Sequence, residues 1–469
     1  MLRALAWPLP AALPDSQLSH SKLSSSSSSS NPAQHTLTRA QQLFNYTQSL
    51  RRQLHAQPEL LYDLGATADV VKAQLDTLRV TYTHSVAKTG IVATIGTGKP
   101  PCVALRADMD ALPIDEQLDS PYKSRTPNKM HACGHDAHTA MLLTAARILK
   151  EREAQIPGTV KLIFQPAEEG GAGGLAMLQA GVLEQEPRIE SIYALHVWPG
   201  LDAGVVATRP GTIMAAAGFY HARFLGHGGH AAMPHTTVDP FSCVAAALPA
   251  LQTVVSRNVA PTEAGVVSTT FVRGGSAYNI IPTEVELGGT IRSLTRPGYR
   301  MMDERVAEIL RAAAAVGGCE LELTASSLEE DCMAQPIPPG APGSCTFPPT
   351  VNARGAYRLA RAAAVSLIGE SSVHEAAPTM GGEDFSYFLE KVPGAISFLG
   401  IGNSSLGTNV NLHNPRFQMD ESQMPLGAAL HVETALRALT SPRIPQGPCE
   451  EDSEGLAQCA EGTNLESED

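Results

Sequence analysis

The sequence predicts an α/β protein built on a mixed, mostly parallel sheet, with a smaller α+β module inserted into it. Strand-like and helix-like segments alternate over residues 38–212 and again over 351–440. Between 213 and 326 the pattern changes to longer strand-like segments and two helices. Such alternation is typical of parallel sheets, because parallel neighbours need a crossover connection that is usually a helix. We therefore predict one larger domain in two parts, 38–212 and 351–440, interrupted by the inserted module.

The first part of the larger domain places polar residues directly after apolar strands. TGIVATIG, CVALRADMD and GTVKLIFQPAEE have the composition of strands, and TAMLLTAARILKER has the pattern of a helix. Polar residues just past strand ends lie where parallel sheets form their binding sites. The sequence thus predicts a site at this edge of the sheet.

The inserted module is expected to be a small sheet covered by two helices. Its strands are predicted in GFYHARFLG, GVVSTTFVRGG and TEVELGGTIRSL, and its helices in DPFSCVAAALPALQTVVS and GYRMMDERVAEILRAAAAVG. The proline-rich segment 327–350, which contains EDCMAQPIPPGAPGSCTFPP, is predicted to be a linker that leads back to the larger domain.

Both ends of the chain are predicted to be disordered. Residues 1–37 contain the serine run Ser24–Ser30, and Asp15 is the only acidic residue before position 59. Serine-rich, acid-poor composition is that of an organelle transit peptide, and the alternative is a plain extension of a cytoplasmic protein. Residues 441–469 form an acidic tail without periodicity. The sequence leaves the location of the protein open between these two alternatives.

Charge, hydropathy and cysteine content exclude several classes of protein. The net charge is −13 and no basic stripe is present, so nucleic acid is not an expected partner. No segment has the ~18 uninterrupted apolar residues that a membrane-spanning helix needs. The 8 cysteines are too few and too scattered for a disulfide framework. We expect buried thiols at five of these cysteines: Cys102, Cys243, Cys319, Cys332 and Cys345.

Side chains that can bind metals cluster in five short segments of the larger domain. Asp108 and Asp110 lie two apart in ALRADMDALP, and alternate residues of a strand point to the same side. The other segments are MHACGHDAH, with His131, Cys133, His135, Asp136 and His138; FQPAEEGGAGG, with Glu168 and Glu169; ALHVWP, with His196; and NVNLHNPRF, with His413.

Taken together, these residue types predict a hydrolytic centre with two metal ions. Considered alone, His196 would be interpreted as an ordinary polar residue, and Glu168 with Glu169 as a solvated pair on the surface. Thiolate, imidazole and carboxylate ligands together suit zinc, manganese or cobalt. A bound cation makes a water acidic, and a carboxylate that is not a ligand can then move its proton. The candidates are too many for one structural zinc site.

A second polar cluster lies in the inserted module. GHGGHAAMPH contains His227, His230 and His235, GGSAYNIIP contains Asn279, and GTIRS contains Arg292. Arginine can hold a carboxylate through two hydrogen bonds, and a histidine or asparagine can stabilise an oxyanion. These residues suit an acyl-amino-acid substrate. For Arg292 an ordinary surface salt bridge stays open as the alternative.

The motifs resemble those of the metallopeptidase family that includes aminoacylases and bacterial carboxypeptidase G. Within it, they are most similar to the amidohydrolase branch of hippurate hydrolases and plant auxin-conjugate hydrolases. The matching segments occur in the family's order over roughly residues 40–440, and they are RADMDALPI, MHACGHDAHTAMLL, QPAEEGGAGG, ALHVWP, GHGGHAAMPH, GGSAYNIIP, GTIRS, MGGEDFSYF and LHNPRF. The resemblance implies a catalytic α/β domain with a metal pair and an inserted lid domain through which a homodimer forms.

The resemblance also implies roles for individual residues. Glu168 corresponds to the general base, and Asp110 to the aspartate that orients a ligand. His230 corresponds to a histidine that reaches the carbonyl oxygen, often from the partner subunit, while Asn279 and Arg292 correspond to substrate-contacting residues. The implied metal ligands are Cys133, His135, Glu169, His196 and His413.

The resemblance separates three histidines and one aspartate from the implied metal ligands. Asp108 stands where the peptidase branches have a metal-binding histidine, and Cys133 takes over that role in the amidohydrolase branch. His131 and His138 are expected in supporting or helix-packing roles. His227 departs from the family's pattern, since a lysine or arginine is expected there.

The function expected from the resemblance is hydrolysis of the amide bond of N-acyl amino acids. Conjugates of auxin, indole-3-acetic acid, with amino acids are the first candidate substrates. The alternative is a general aminoacylase, hippuricase or N-acetyl-amino-acid deacetylase, and a non-catalytic binding protein on the same fold is a more remote one. The implied cofactors are two divalent ions, manganese or zinc, with cobalt as a further choice.

Overall fold

The fold is given by a computed structural model that describes residues 32–325, 328, 332–334, 343, 345–441 and 444, and the backbone of 449–451 and 457–459. The strands, in chain order, are β1 (Thr81–Val86), β2 (Gly90–Gly96), β3 (Cys102–Asp108), β4 (Thr159–Gln165), β5 (Ser191–Asp202), β6 (Val206–Thr208), β7 (Gly211–Met214), β8 (Ala216–Leu225), β9 (Gly229–His230), β10 (Gly265–Gly274), β11 (Ile280–Ile281), β12 (Glu284–Ser293), β13 (Glu320–Ala325), β14 (Thr350–Asn352), β15 (Val373–Glu375), β16 (Gly394–Gly402), β17 (Cys449–Glu451) and β18 (Ala457–Cys459).

The helices connect and cover these strands. In chain order they are α1 (Pro32–Gln42), α2 (Phe44–His55), α3 (Gly65–Thr77), α4 (His135–Glu151), α5 (Gly173–Gln179), α6 (Pro240–Leu251), α7 (Thr253–Asn258), α8 (Arg296–Gly317), α9 (Arg354–Ile368), α10 (Ser386–Leu389) and α11 (Met424–Thr440). No helix in the described part of the chain is long and apolar enough to cross a membrane.

The larger sheet is mixed and mostly parallel, which confirms the predicted fold class. Among the described residues it has eight strands in the order β1-β2-β4-β3-β5-β16-β6-β15. Parallel pairing joins β4, β3, β5 and β16, while β1 and β2 are antiparallel additions at one edge. In this register Asp108 is level with Gln165, and Arg106 is level with Ala194. The carboxyl ends of β3, β4 and the middle of β5 therefore meet at one edge.

Two apolar cores fill the faces of this sheet. On one face α4 and α11 pack against the central strands, and Leu142 and Leu430 join Leu105 of β3 in a single core. On the other face α5 and α10 bury Met177 and Phe388. Burial on both faces explains why the central strands have near-continuous apolar sequences rather than an alternating pattern.

The inserted module is a four-stranded antiparallel sheet in the order β10-β12-β8-β13, within the range predicted for it. Helices α6 and α8 cover one face, where Tyr220, Ala222 and Phe224 point into the core. Helix α8 begins after Thr295, whose hydroxyl accepts the Gly298 N–H. It ends at Gly317 and is followed by Gly318, whose φ of 72° suits glycine. We propose this module as the inserted domain of residues 213–326.

The chain passes between the two sheets twice, and the two connecting segments pair with each other. Strand β7, before the module, is antiparallel to β14, after it. Next to this pair, Ala217 and Phe347 exchange backbone hydrogen bonds. The module is thus joined to the larger domain through a short two-stranded ribbon.

The expectation of free thiols was wrong at four positions. Cys243 of α6 is bonded to Cys319, 76 residues away, and Cys332 is bonded to Cys345. Cys102 and Cys133 are free and buried. Spacing along the chain gave no sign of these pairs, because it is the packing of α6 against the end of α8 that brings Cys243 to Cys319.

The predicted disorder at the ends also needs correction where residues are described. Helix α1 begins at Pro32, inside the predicted extension, and buries Ala33 and Thr36; residues 1–31 lie outside the described part. Strands β17 and β18 pair within the predicted tail, and such short strands leave no periodicity to detect. Cys345 and Thr350 of the predicted linker are buried, because they return beside the crossing ribbon.

We predict that the Cys243–Cys319 disulfide stabilises the inserted module. Replacing both cysteines by serine should lower the free energy of unfolding by ~2–5 kcal/mol, because the unfolded chain gains freedom. The measurement is the urea midpoint followed by far-UV circular dichroism. Cys102→Ser removes a buried thiol without a cross-link and is the matched control. Equal midpoints for the wild type and the double variant would contradict the prediction.

Candidate metal centre

Metal-binding side chains from separate parts of the chain meet at the carboxyl edge of β3, β4 and β5. Glu168 and Glu169 follow the end of β4, and His196 lies within β5. Cys133 and His135 lie at the amino end of α4. His413 comes from a loop, and its backbone N–H donates to the Ala132 carbonyl (2.8 Å), which joins that loop to the Cys133 turn. Five of these six side chains are buried, and that of His413 is 54 % exposed.

The turn before α4 is held tightly against β5. Gly134 has φ of 92°, and a Cβ at this position would lie 2.4 Å from Cγ2 of Val197. Only glycine therefore fits between Cys133 and His135. This close approach puts both side chains beside His196, the neighbour of Val197.

The ligand atoms form adjacent sets that share Cys133. Sγ of Cys133 lies 3.4 Å from Nε2 of His196, and Oε1 of Glu169 lies 3.9 Å from Nε2 of His135 and 3.3 Å from Nε2 of His413. Cys133 with His135 and His196, and Cys133 with Glu169 and His413, each have their ligand atoms within 4.8 Å of one another.

The hydrogen bonds of two histidines leave a lone pair directed at the cluster. Nδ1 of His135 donates to the Asp110 carbonyl (2.8 Å), and Nδ1 of His196 donates to the Val197 carbonyl (2.8 Å). In the neutral form of each ring the lone pair is then on Nε2, which is the atom that can bind a metal.

Two buried atoms of the cluster have no hydrogen-bond partner among the described residues. They are Nε2 of His135 and Oε1 of Glu169. The latter is close to His413 but not aligned with it for a hydrogen bond. Buried polar atoms rarely lack partners, and a cation would satisfy both. The donor set therefore fits two divalent ions.

Asp110 organises the turn that carries both glutamates. Its two carboxylate oxygens accept the backbone N–H groups of Glu168 (3.0 Å) and Glu169 (3.1 Å). Its backbone carbonyl accepts from His135. Asp110 thus fixes one candidate ligand directly and a second through the backbone, without using its carboxylate on the cluster.

Asp108 and His138 pair behind the cluster. Nδ1 of His138 donates to Asp108 (2.6 Å), and its Nε2 accepts the Val197 N–H (3.0 Å). Both nitrogens of His138 are occupied, which agrees with the supporting role expected for it. His131 is buried with neither ring nitrogen partnered among the described residues, and burial lowers its pKa to about 3.

Glu168 lies at the border of the cluster in an acidic environment. Its Oε2 is 4.0 Å from Nε2 of His135, and its Oε1 accepts the Asp384 N–H (3.4 Å). Burial raises the pKa of Glu168 well above its ordinary value, and the nearby carboxylates of Glu383 and Glu169 raise it further. A carboxylate with a raised pKa is a better proton acceptor than an ordinary one.

The sequence matches Peptidase family M20/M25/M40 over residues 104–437. The chain belongs to this family. It is 40% identical over 404 residues to IAA-amino acid hydrolase ILR1-like 4 of Arabidopsis thaliana, covering 86% of this chain and 88% of the relative. It is 33% identical to N-acetylcysteine deacetylase of Bacillus subtilis, covering 83% and 96%.

A solved structure of the family has the same fold. The Bacillus subtilis YXEP protein, described as a dinuclear metal binding peptidase from M20 family, aligns with a TM-score of 0.69 and 29% identity. The alignment covers 86% of this chain and 99% of that one. Together these findings confirm the predicted family, its α/β fold and the prediction of a metal-dependent amide hydrolase.

In this M20 family member, the residues predicted in the inserted module fall into two groups. His230 and Asn279 are exposed and adjacent, since the Asn279 carbonyl accepts the Ala231 N–H (3.0 Å). Nδ1 of His230 accepts the Ala232 N–H (3.1 Å), so its Nε2 carries the proton. Neither side chain contacts the metal-binding cluster within the described residues.

Arg292 does reach the larger domain. A Cβ on Gly382 would lie 3.1 Å from Nη1 of Arg292, so the guanidinium lies beside the residue before Glu383. Burial lowers the pKa of Arg292. Within the ranges that the structure describes, no carboxylate pairs with it, which argues against the surface salt bridge left open above. Its position leaves the guanidinium available for an anion.

A buried ionic network behind Glu168 was not predicted from the sequence. Arg106 contacts Asp108 (2.6 Å), Glu383 (3.0 Å) and Asp384 (2.9 Å), and Asp384 also accepts from Gln165 (2.7 Å). Burial raises the pKa of Asp384 to about 7. A charged residue inside the apolar segment VALRAD was a usable signal, since a buried arginine requires acidic partners.

We predict that Cys133→Ser loses metal. Because Cys133 belongs to both donor sets, the variant should retain fewer than two ions per chain after dialysis. Elemental analysis of the purified protein measures this. Cys102→Ser, at the other buried free cysteine, should keep the wild-type metal content. Unchanged metal in Cys133→Ser would remove this residue from the ligand set.

Proposed function

We propose that this M20 family member hydrolyses the amide bond of N-acyl amino acids, with auxin–amino-acid conjugates as the first candidate substrates. The observation that carries the proposal is the arrangement at the cluster. Glu168, a glutamate outside the two donor sets, lies beside His135 and the Asp384 N–H. Arg292, a partly buried arginine without a carboxylate partner among the described residues, lies beside Gly382 of the same turn. The names of the relatives from Arabidopsis thaliana support the acyl group.

Cys133, His135, Glu169, His196 and His413 are the proposed ligands. Thiolate, imidazole and carboxylate together suit manganese or zinc, with cobalt as a further choice. When bound, the pair of ions would polarise the amide carbonyl and make water acidic.

Glu168 is the proposed general base. Its carboxylate is 4.0 Å from Nε2 of His135 and is held by the Asp384 N–H. In this position it can accept a proton from the attacking water and deliver it to the nitrogen of the leaving amino acid. Asp110 fixes the backbone of both Glu168 and Glu169, so that one side chain can transfer protons while the other binds metal.

Arg292 is the proposed partner of the substrate carboxylate. N-acyl amino acids carry a free carboxylate next to the scissile amide, and arginine binds carboxylates through two hydrogen bonds. The contact with Gly382 places this guanidinium next to the turn that carries Glu383 and Asp384. A substrate held there would have its amide within reach of the donor sets.

His230 and Asn279 are proposed to act on the substrate from a partner subunit. Both are exposed, and the protonated Nε2 of His230 is a donor suited to a carbonyl oxygen. Strand β10 is one of the two outer strands of the module's sheet in the described part of the chain, and an outer strand can pair with another chain. We therefore propose a homodimer formed through the inserted module.

The second candidate function is that of an N-acetyl-amino-acid deacetylase or general aminoacylase. The similarity to N-acetylcysteine deacetylases of Bacillus subtilis favours it. The two candidates share the chemistry and differ only in the acyl group.

We predict turnover on a panel of indole-3-acetyl, benzoyl and acetyl amino acids with added manganese or zinc. We expect the highest kcat/KM for an indole-3-acetyl substrate, and a preference for acetyl substrates would favour the second candidate.

Glu168→Gln should keep two ions per chain and lose ~10²–10⁴-fold in kcat, the usual contribution of general base catalysis. No hydrolysis by the metal-loaded wild type, or full turnover by Glu168→Gln, would contradict the proposal.

We also predict that Arg292→Met weakens the binding of substrates with a free carboxylate. KM should rise ~10- to 100-fold, equivalent to the ~1.5–3 kcal/mol of a hydrogen bond to a charged group. Carboxamide analogues of the same substrates should be hydrolysed equally by the variant and the wild type. Arg300→Met, at an exposed arginine of α8, is the matched control. An equal rise of KM for the carboxamides would argue against this role.

A further inference from the structure

A buried ionic network lies beneath the Cys133 turn, on the side opposite to β5. Its central residue is Arg51 of α2, which is 1% exposed. Nε of Arg51 lies 2.8 Å from Oδ2 of Asp136, an ion-pair contact without hydrogen-bond alignment. Its Nη1 lies 3.2 Å from Oε1 of Glu421. Arg51 therefore links the loop before α11 to the first turn of α4.

Asp136 is the point at which this network touches the proposed metal site. It follows His135 directly and is three residues after Cys133, in the first turn of α4. Its side chain is fully buried, and its Oδ1 accepts the Ala137 N–H (2.9 Å). Its carboxylate points away from the donor sets, toward α2.

His55, one turn after Arg51, reinforces the same contact. Its Nδ1 lies 2.8 Å from Oδ2 of Asp136, and its Nε2 lies 3.4 Å from Oε1 of Glu116. The other oxygen of Glu116 accepts the Ser124 N–H (2.7 Å). Arg51 and His55 thus hold one carboxylate oxygen of Asp136 from the same helix.

The Cys133 turn is consequently fixed from two sides. On one side Gly134 is in close contact with Val197. On the other side Asp136 is held by Arg51 and His55. Cys133 and His135 lie between these two contacts, and so a shift of Asp136 must move the first turn of α4 and both side chains with it.

We propose that Arg51 is a positioning residue of the metal site, which acts through Asp136 to hold Cys133 and His135 in the geometry that binds the ions. The proposal rests on the ligand set given under Proposed function. An ion pair in the interior adds little net stability, because desolvation offsets the Coulomb attraction. The ion pair instead fixes a geometry, because the Asp136 carboxylate contacts its partners in only one position of its side chain.

The test compares Arg51→Met with Arg52→Met in the full chain. Methionine replaces the unbranched apolar stem of arginine and removes the charged guanidinium. Arg52 is the matched control, because like Arg51 it binds Glu421 and lies over the ring of Tyr122. It differs in that its side chain is 40% exposed and makes no contact with Asp136 within the described residues. Affinity for Zn²⁺ and Mn²⁺ is measured by competition with a chelator, and unfolding of the metal-free protein by urea.

We expect a ~10- to 100-fold loss of metal affinity in Arg51→Met, which is the usual effect of removing a residue that orients a metal ligand. Arg52→Met should bind like the wild type. Arg51→Lys, which keeps the charge, should recover part of the affinity. At saturating metal the kcat of Arg51→Met should return toward that of the wild type, because the reacting groups are intact.

Wild-type metal affinity in Arg51→Met overturns the proposal even if its urea midpoint falls, because a purely structural residue would give that result. An equal loss in Arg52→Met overturns it as well. If Arg51→Met does not fold, the same comparison is made with Asp136→Asn, which keeps the shape of the side chain and should lose affinity to the same extent. Failure of the ligand set itself is distinguishable, since Cys133→Ser would then retain all its metal.

Discussion

The burial of many carboxylates at one edge of the sheet is the constraint on which the rest of the structure depends. Asp108, Asp110, Glu168, Glu383 and Asp384 are all at most 6% exposed, and ionised groups cannot be buried without compensation. Arg106 compensates three of them, and Asp110 is compensated by backbone N–H groups. What remains uncompensated is the donor set around Cys133, and this excess of negative charge is what makes the edge suited to divalent cations.

The same constraint divides the acidic residues by function. Carboxylates that receive strong partners, such as Asp108 and Asp136, are fixed and serve to hold histidines and helices in place. Among the described residues, the Glu168 carboxylate receives a single long hydrogen bond, from a backbone N–H group, and burial raises its pKa. It is therefore the carboxylate of this group that is best suited to exchange a proton. Position in the network, rather than residue type, separates the supporting carboxylates from the one proposed to transfer a proton.

The candidate residues of the inserted module differ in how close they lie to the larger domain. Arg292 reaches the turn beside Glu383, whereas His230 and Asn279 stay on the exposed ribbon of β9 and β11. The module is connected by the paired strands β7 and β14 and by the contact of Ala217 with Phe347. A substrate carboxylate at Arg292 would link the two parts of the protein through the substrate itself.

The sequence by itself determined the fold class and the residue types of the candidate site, because apolar periodicity and the polar residues after strand ends are local properties. It also carried the motifs of the family, which the comparisons confirm. Only the tertiary structure decided which partners compensate the buried charges: Arg106 meets Asp384 across 278 residues, and Arg51 meets Asp136 from another helix. It likewise decided the Cys243–Cys319 bond and the two occupied nitrogens of His138. Charge compensation and cross-linking are satisfied in space, so the order of residues along the chain does not contain them.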